Sequence, residues 1–145
     1  MLKFRNLDMS PEAPVEQWGF EGLLTALERG NIEHWRRVSR ALDGDPRGKV
    51  AAELAEVVEA LEDNAIANLF SRLAGEAVGR SEQAEKDAVA AELRRYFAAS
   101  GLKRSEFARR LGSSPSRLST YLNGKVTPSA VLLIRARSLA DRVPG

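Results

Sequence analysis

Arg104, Arg109, Arg110, Arg117 and Lys125 fall within one short stretch, GLKRSEFARRLGSSPSRLSTYLNGKVTP (residues 101–128), interleaved with Ser114, Ser116, Ser119, Thr120 and Asn123. Guanidinium and ammonium groups are permanent donors, and hydroxyl and amide groups give directed hydrogen bonds. That set suits the binding of a polyanion better than the making or breaking of bonds. The groups a catalyst needs are not arranged for it. Glu33-His34 lacks any HExxH partner, and no nucleophile elbow surrounds a serine. The chain has no cysteine and one histidine, so disulfides, thiolate chemistry and a His/Cys zinc site are not expected. Gly112 and Gly124 sit at helix ends and not in a phosphate-cradling loop. The expectation is a binding protein with no enzymatic activity, no metal and no cofactor.

For these side chains to act together, the backbone has to bring them to one face. Leu102, Phe107, Ala108 and Leu111 recur at helical spacing, which predicts a helix over Lys103–Leu111. Gly112 supplies a residue that can take positive φ where that helix stops. Ser114 reads as an N-cap and Pro115 as the first residue of a second helix, with Leu118, Tyr121 and Leu122 as its apolar stripe. Asn123-Gly124 ends it. Where the two helices cross, the first needs a small side chain, and Ala108 is there. Pro115, Ser116, Arg117, Ser119 and Thr120 are then left on the outward end and face. Two short helices joined by a tight turn make the helix-turn-helix pattern.

Over roughly residues 84–142 the chain resembles the lambda-repressor/Cro-like helix-turn-helix family, often called the XRE family. The resemblance implies a double-stranded DNA partner, commonly bound as a two-fold dimer, and phosphate contacts from Arg104, Ser114, Asn123 and Lys125. Many family members carry glutamine at the position of Arg104, so here charge replaces amide geometry. A helix-turn-helix inserts its second helix N-terminus first into the major groove. That makes Ser116, Arg117 and Thr120 the candidates for base contact, Arg117 foremost because guanidinium can grip guanine O6 and N7 together. Pro115 has no backbone N–H to give, so it touches a thymine methyl or only shapes the turn.

The remaining chain reads as helices. Val15–Gly30 carries Trp18, Leu23, Leu24 and Leu27 on its apolar side, with Gly30 closing it. Asn31 caps a helix with Ile32, Trp35, Val38 and Leu42 on one face and Arg36, Arg37 and Arg40 on others. Asp43-Gly44-Asp45-Pro46 is a break. A third helix runs from Pro46 or Arg47 to about Asp63, burying Val50, Leu54, Val57, Val58 and Leu61, with Glu53, Glu56, Glu59 and Glu62 on its outer face. A fourth, Asn64 to about Val78, adds Ile66, Leu69, Phe70 and Leu73. Gly75, Gly79 and the polar run Arg80–Gln83 mark a boundary between halves. From Ser81 as N-cap a long helix runs to Ala99, packing Val89, Leu93, Tyr96 and Phe97. Thr127 caps and Pro128 opens a final helix, with Val131, Leu132, Ile134, Leu139 and Ala140 inward and Arg135, Arg137 and Arg142 in solvent. Before all of these, Met1–Pro14 reads as an arm in which Leu2, Phe4 and Leu7 could pack.

The expected fold is all-α, an N-terminal helical bundle (1–80) followed by a C-terminal lambda-repressor-like helix-turn-helix domain (81–145). Charge divides with it: ten Lys and Arg against fourteen Asp and Glu in residues 1–80, twelve against six in 81–145. The acidic half is the place for oligomerisation or a protein partner: Trp18, Phe20 and Trp35 are either plain core or its anchors, and the glutamate stripe is either a solvated face or a dock for a basic partner or for the chain's own DNA-binding surface. No apolar run is long enough to span a membrane and the N-terminus lacks a secretory core, which points to a cytoplasmic, nucleoid-associated protein. Three functions fit: a transcriptional regulator, foremost a repressor, bound as a dimer to near-palindromic operators; an antitoxin-like autoregulator whose N-terminal half binds a partner; or a low-specificity architectural DNA-binding protein.

Overall fold

Asn31 and Asn64 fix two helix starts with their side chains. Asn31 Oδ1 accepts from the N–H groups of Glu33 at 3.0 Å and His34 at 3.4 Å, and His34 Nδ1 accepts from Asn31 N–H at 3.2 Å. This reciprocal cap satisfies donors that a helix start leaves open, and it gives the lone histidine a structural task. Asn64 Oδ1 accepts from Ile66 and Ala67 N–H at 2.9 and 3.1 Å. The computed structural model describes residues 10–142, where all regular structure is helical. A 3-10 turn, Val15–Gln17, precedes α1 (Gly19–Arg29), α2 (Ile32–Gly44), α3 (Lys49–Leu61), α4 (Ala65–Ser100), α5 (Arg104–Arg110), α6 (Pro115–Leu122) and α7 (Ala130–Asp141). The expectations placed on Leu2, Phe4 and Leu7 lie outside the described residues. No helix among the described residues is long and apolar enough to cross a membrane.

The chain divides into two compact units between Ser81 and Glu82. In the first, Trp18, Leu23, Val38, Leu54, Val57 and Phe70 form the centre of one apolar cluster. The single helix expected over 15–30 is broken, because Gly19 stands at φ 69° and a left-handed residue cannot continue a right-handed helix. Trp18 is 2% exposed and donates its indole N–H to Ala13 O at 3.0 Å. Arg37 lies 4.9 Å over that ring and donates to Pro11 O at 2.6 Å and Ala13 O at 2.7 Å, holding the segment before the 3-10 turn against α2. Trp18 is therefore core and not an anchor for a second molecule. Trp35 and Phe20 are partly buried against the same cluster.

Two expectations about faces fail for one geometric reason. Three residues advance a helix about 300°, so residues three apart drift about 60° per step. Ile32 is accordingly off the face that buries Val38 and is 59% exposed. The same drift turns Glu53 inward: its side chain is 20% exposed, with Oε1 3.7 Å from Lys49 Nζ. Glu56 and Glu59 stay exposed, and Glu62 sits beyond the helix at φ 51°. The glutamates make no stripe.

The expected break near Gly79–Ser81 is also absent: α4 is continuous for 36 residues, and the division between units falls within it. Gly75 and Gly79 each cost about 1 kcal/mol relative to alanine in a helix, too little to stop one. The polar run after them is made largely of good helix formers, and Gln83 Nε2 bridges one turn to Asp87 Oδ1 at 2.9 Å. At the other end, Ser129, not Thr127, caps α7, its Oγ accepting from Leu132 N–H at 3.1 Å, and Pro128 stays outside the helix. The buried set of α7 is Leu132, Ala136 and Leu139, while Val131 and Ile134 are 56% and 55% exposed.

Gly30 closes α1 with extended backbone, its N–H donating to Ala26 O at 2.9 Å. Ala26 O also receives the indole N–H of Trp35 at 2.9 Å. A Cβ on residue 30 would stand 2.3 Å from that oxygen. Gly30→Ala should therefore destabilise the N-terminal unit by about 1–3 kcal/mol. Both tryptophans lie in this unit, so urea unfolding followed by tryptophan fluorescence measures the loss.

Candidate nucleic-acid interface

The C-terminal unit is built on Leu93, Phe107, Ala108, Leu111 and Leu118, none more than 1% exposed. Ala108, at the crossing of α5 and α6, is completely enclosed, so any larger side chain would push the helices apart. Phe107 packs on Phe97 of α4 with ring centroids 5.0 Å apart. Gly112 takes φ 77° in the turn, Gly112 N–H donates to Arg109 O at 3.0 Å, and Ser113 N–H to Ala108 O at 2.9 Å. Ser114 then caps α6, with Pro115 as its first residue. Local structure here follows the sequence reading nearly residue for residue.

Two arginines hold the far ends of these short helices. Arg94 of α4 donates through Nη1 to Leu122 O at 2.6 Å, and Arg135 of α7 to Leu111 O at 3.2 Å. Each cation meets carbonyls at a helix C-terminus, where both the open acceptors and the helix dipole favour positive charge. Arg135 is thus engaged and not simply solvated. Arg94 was not singled out by sequence, because its partner lies 28 positions away and no local pattern marks it.

Pro115, Ser116 and Arg117 are exposed on the first turn of α6, as are Arg104, Asn123 and Lys125 around it; Ser114 and Thr120 are half-buried. Their polar atoms are already sorted. Ser114 Oγ accepts from Arg117 N–H at 3.2 Å, and Asn123 Oδ1 from Lys125 N–H at 3.0 Å, so the Ser114 proton and the Asn123 amide protons are what these side chains have left to offer. Thr120 is the reverse, its hydroxyl donating to Arg117 O at 2.7 Å. Among the described residues, the guanidinium of Arg117 has no hydrogen bond or ion pair with another side chain. Arg104, exposed at the start of α5, lies 5.9 Å over the Phe97 ring of α4.

The cations of this stretch are not equivalent. Glu106 accepts from Arg109 Nε and Nη2 at 3.0 and 2.6 Å and from Arg110 Nε at 2.8 Å. Those bonds, Arg109 first and Arg110 next, hold the Glu106 carboxyl down from 4.5 to about 2 and raise Arg109 in turn. Arg104, Arg117 and Lys125 have no ion pair among the described residues.

Residues 88–141 match the family model of a helix-turn-helix domain. The C-terminal unit is a helix-turn-helix domain. No curated protein and no solved structure matches the chain. The helix-turn-helix domain contains α5, the turn and α6, with the end of α4 before them and α7 after.

Because the folded Glu106 is more acidic than the unfolded one, its contribution to stability is present above about pH 4.5 and is lost as pH falls toward about 2. Glu106→Gln should remove that component of acid unfolding, read by circular dichroism from pH 7 to 2. It also frees two guanidiniums, so the slope of log K against log salt for DNA should steepen by up to about 1.8. Arg94→Ala leaves the Leu122 carbonyl without its charged donor and should cost about 1–2 kcal/mol of domain stability by the same circular dichroism signal.

Proposed function

We propose that this chain is a sequence-specific DNA-binding regulator of transcription, of the lambda-repressor/Cro-like kind. It represses by occupying promoter DNA, bound as a dimer to a near-palindromic operator. The observation that carries the reading is Arg117, exposed and with no ion pair among the described residues, on the first turn of a helix whose far end is pinned by Arg94. The major groove admits one helix, and its guanine edge offers the paired acceptors that a guanidinium fork fits. Ser116 and Thr120 stand beside Arg117 for further base contact, and Pro115 shapes the helix start and meets a thymine methyl.

Phosphates accept hydrogen bonds and donate none. Ser114 and Asn123 have donors left over, and Arg104 and Lys125 have free charge, which is the combination backbone contact requires. Counterion release at these sites supplies sequence-independent affinity, and Arg117 adds the discrimination. Dimerisation belongs to the N-terminal unit in this reading and sets recognition helices about 34 Å apart.

Selection of bound fragments from genomic DNA by the purified chain should return a palindrome with half-sites one helical turn apart. Arg117→Ala should cost about 1–3 kcal/mol on that site and relax one base position. Lys125→Ala should weaken specific and random duplex alike and lower the salt slope by about 0.9. The opposite ranking of the two variants overturns the assignment. A specific-to-random ratio below about a thousandfold makes the protein architectural instead.

A further inference from the structure

A threonine hydroxyl has one proton and two lone pairs. In α6 the Thr120 hydroxyl lies 2.7 Å from the carbonyl oxygen of Arg117. A carbonyl only accepts, so the proton of that bond is the threonine's, and it points back into the helix. What Thr120 has left is acceptor lone pairs and a methyl group. Arg117 lies three residues earlier on the same helix, close to the same face, and offers donors alone. Two neighbouring side chains of opposite hydrogen-bonding polarity therefore face outward from one helix.

The base edges of the major groove differ in the same property. Guanine shows two acceptors there, and thymine an acceptor and a methyl; adenine adds an N6 amino donor to its N7, and cytosine shows an N4 amino donor. Oxygen lone pairs set against O6, N7 or O4 repel, whereas against an amino group they bond. Resting on the reading of α6 as the recognition helix, the geometry points to Thr120 as a specificity-determining residue. It selects an exocyclic amino group, adenine N6 or cytosine N4, at one operator position and disfavours keto edges. To accept a keto base, Thr120 would have to give up its bond to Arg117 O, and that loss is the source of the discrimination. The operator position read by Thr120 thus lies next to a guanine read by Arg117.

The test uses the full chain and the operator recovered from genomic fragments, with each half-site position changed in turn to all four pairs. Wild-type protein should prefer an amino-bearing base by about five- to tenfold at one position adjacent to the guanine that Arg117→Ala releases. Thr120→Val, which keeps the shape and removes the hydroxyl, should cut that preference below about twofold. Thr120→Ser, which keeps the hydroxyl, should retain it. The inference is overturned if Thr120→Val leaves the amino preference in place, or if the position that changes favours guanine or thymine. It is also overturned if Thr120→Ser loses the preference and Thr120→Val keeps it, since the methyl group would then be the reader. If instead Arg117→Ala changes no base preference, the recognition-helix reading itself falls, and this inference with it.

Discussion

A helix of eight residues is too short to hold itself in water, so the direction of α6 has to be imposed from outside. Three constraints do this. Leu118 is locked into a core with Phe107 and Ala108, where the absence of side-chain bulk at position 108 sets how close α5 and α6 come. The turn between them passes through a left-handed glycine, which fixes the angle of exit. Arg94 then ties down the far end by its bond to Leu122 O. Remove any one and the outward residues still exist, but they no longer share a frame.

Electrostatics refines what that frame presents. Counting basic residues makes the stretch from Arg104 to Lys125 look uniformly attractive to a polyanion. Glu106 divides it, drawing Arg109 and Arg110 into a shared contact on α5 and leaving the open charge around α6. The pairing is solvent-exposed and contributes little to stability. Its consequence is for binding: Arg117 at the start of α6 and Lys125 in the turn after it carry charge that Glu106 does not engage. A helix-turn-helix that approached DNA by charge alone would gain from losing Glu106, and this chain keeps it.

How far the sequence spoke depended on the range of the interactions involved. The caps at Asn31 and Ser114, the stop at Gly112 and the buried Ala108 are decided within four or five residues, and their patterns were readable. Errors arose where a local signal competed with something larger. Gly79 and Ser81 look like the end of one helix and the start of the next, yet a helix already running through good helix formers continues past them, and the division between units falls within it. Gly19, inside an apolar pattern, broke a helix that the pattern alone extended. Steps of three along α3 and α2 suggest single faces, but their angular drift carries Glu53 inward and Ile32 into solvent. The carbonyl contacts of Arg94 and Arg135 have no local signal for the opposite reason, since each reaches more than twenty positions along the chain.

Side-chain identity also left one property undetermined, and it bears on recognition more than charge does. Serine, threonine and asparagine can each donate or accept, so their presence on α6 says only that polar contact is possible. Which half of that capacity remains is settled by the bond each makes to its own backbone. Ser114 and Asn123 use oxygen to hold the ends of the helix and keep protons; Thr120 uses its proton and keeps oxygen. The bonds that shape the helix thereby decide what it can read. Capping and recognition are one set of choices here, because an atom committed to the fold is withdrawn from the groove. A substitution that preserves polarity but not this division, such as serine for asparagine at 123, would alter the surface even with every backbone atom in place.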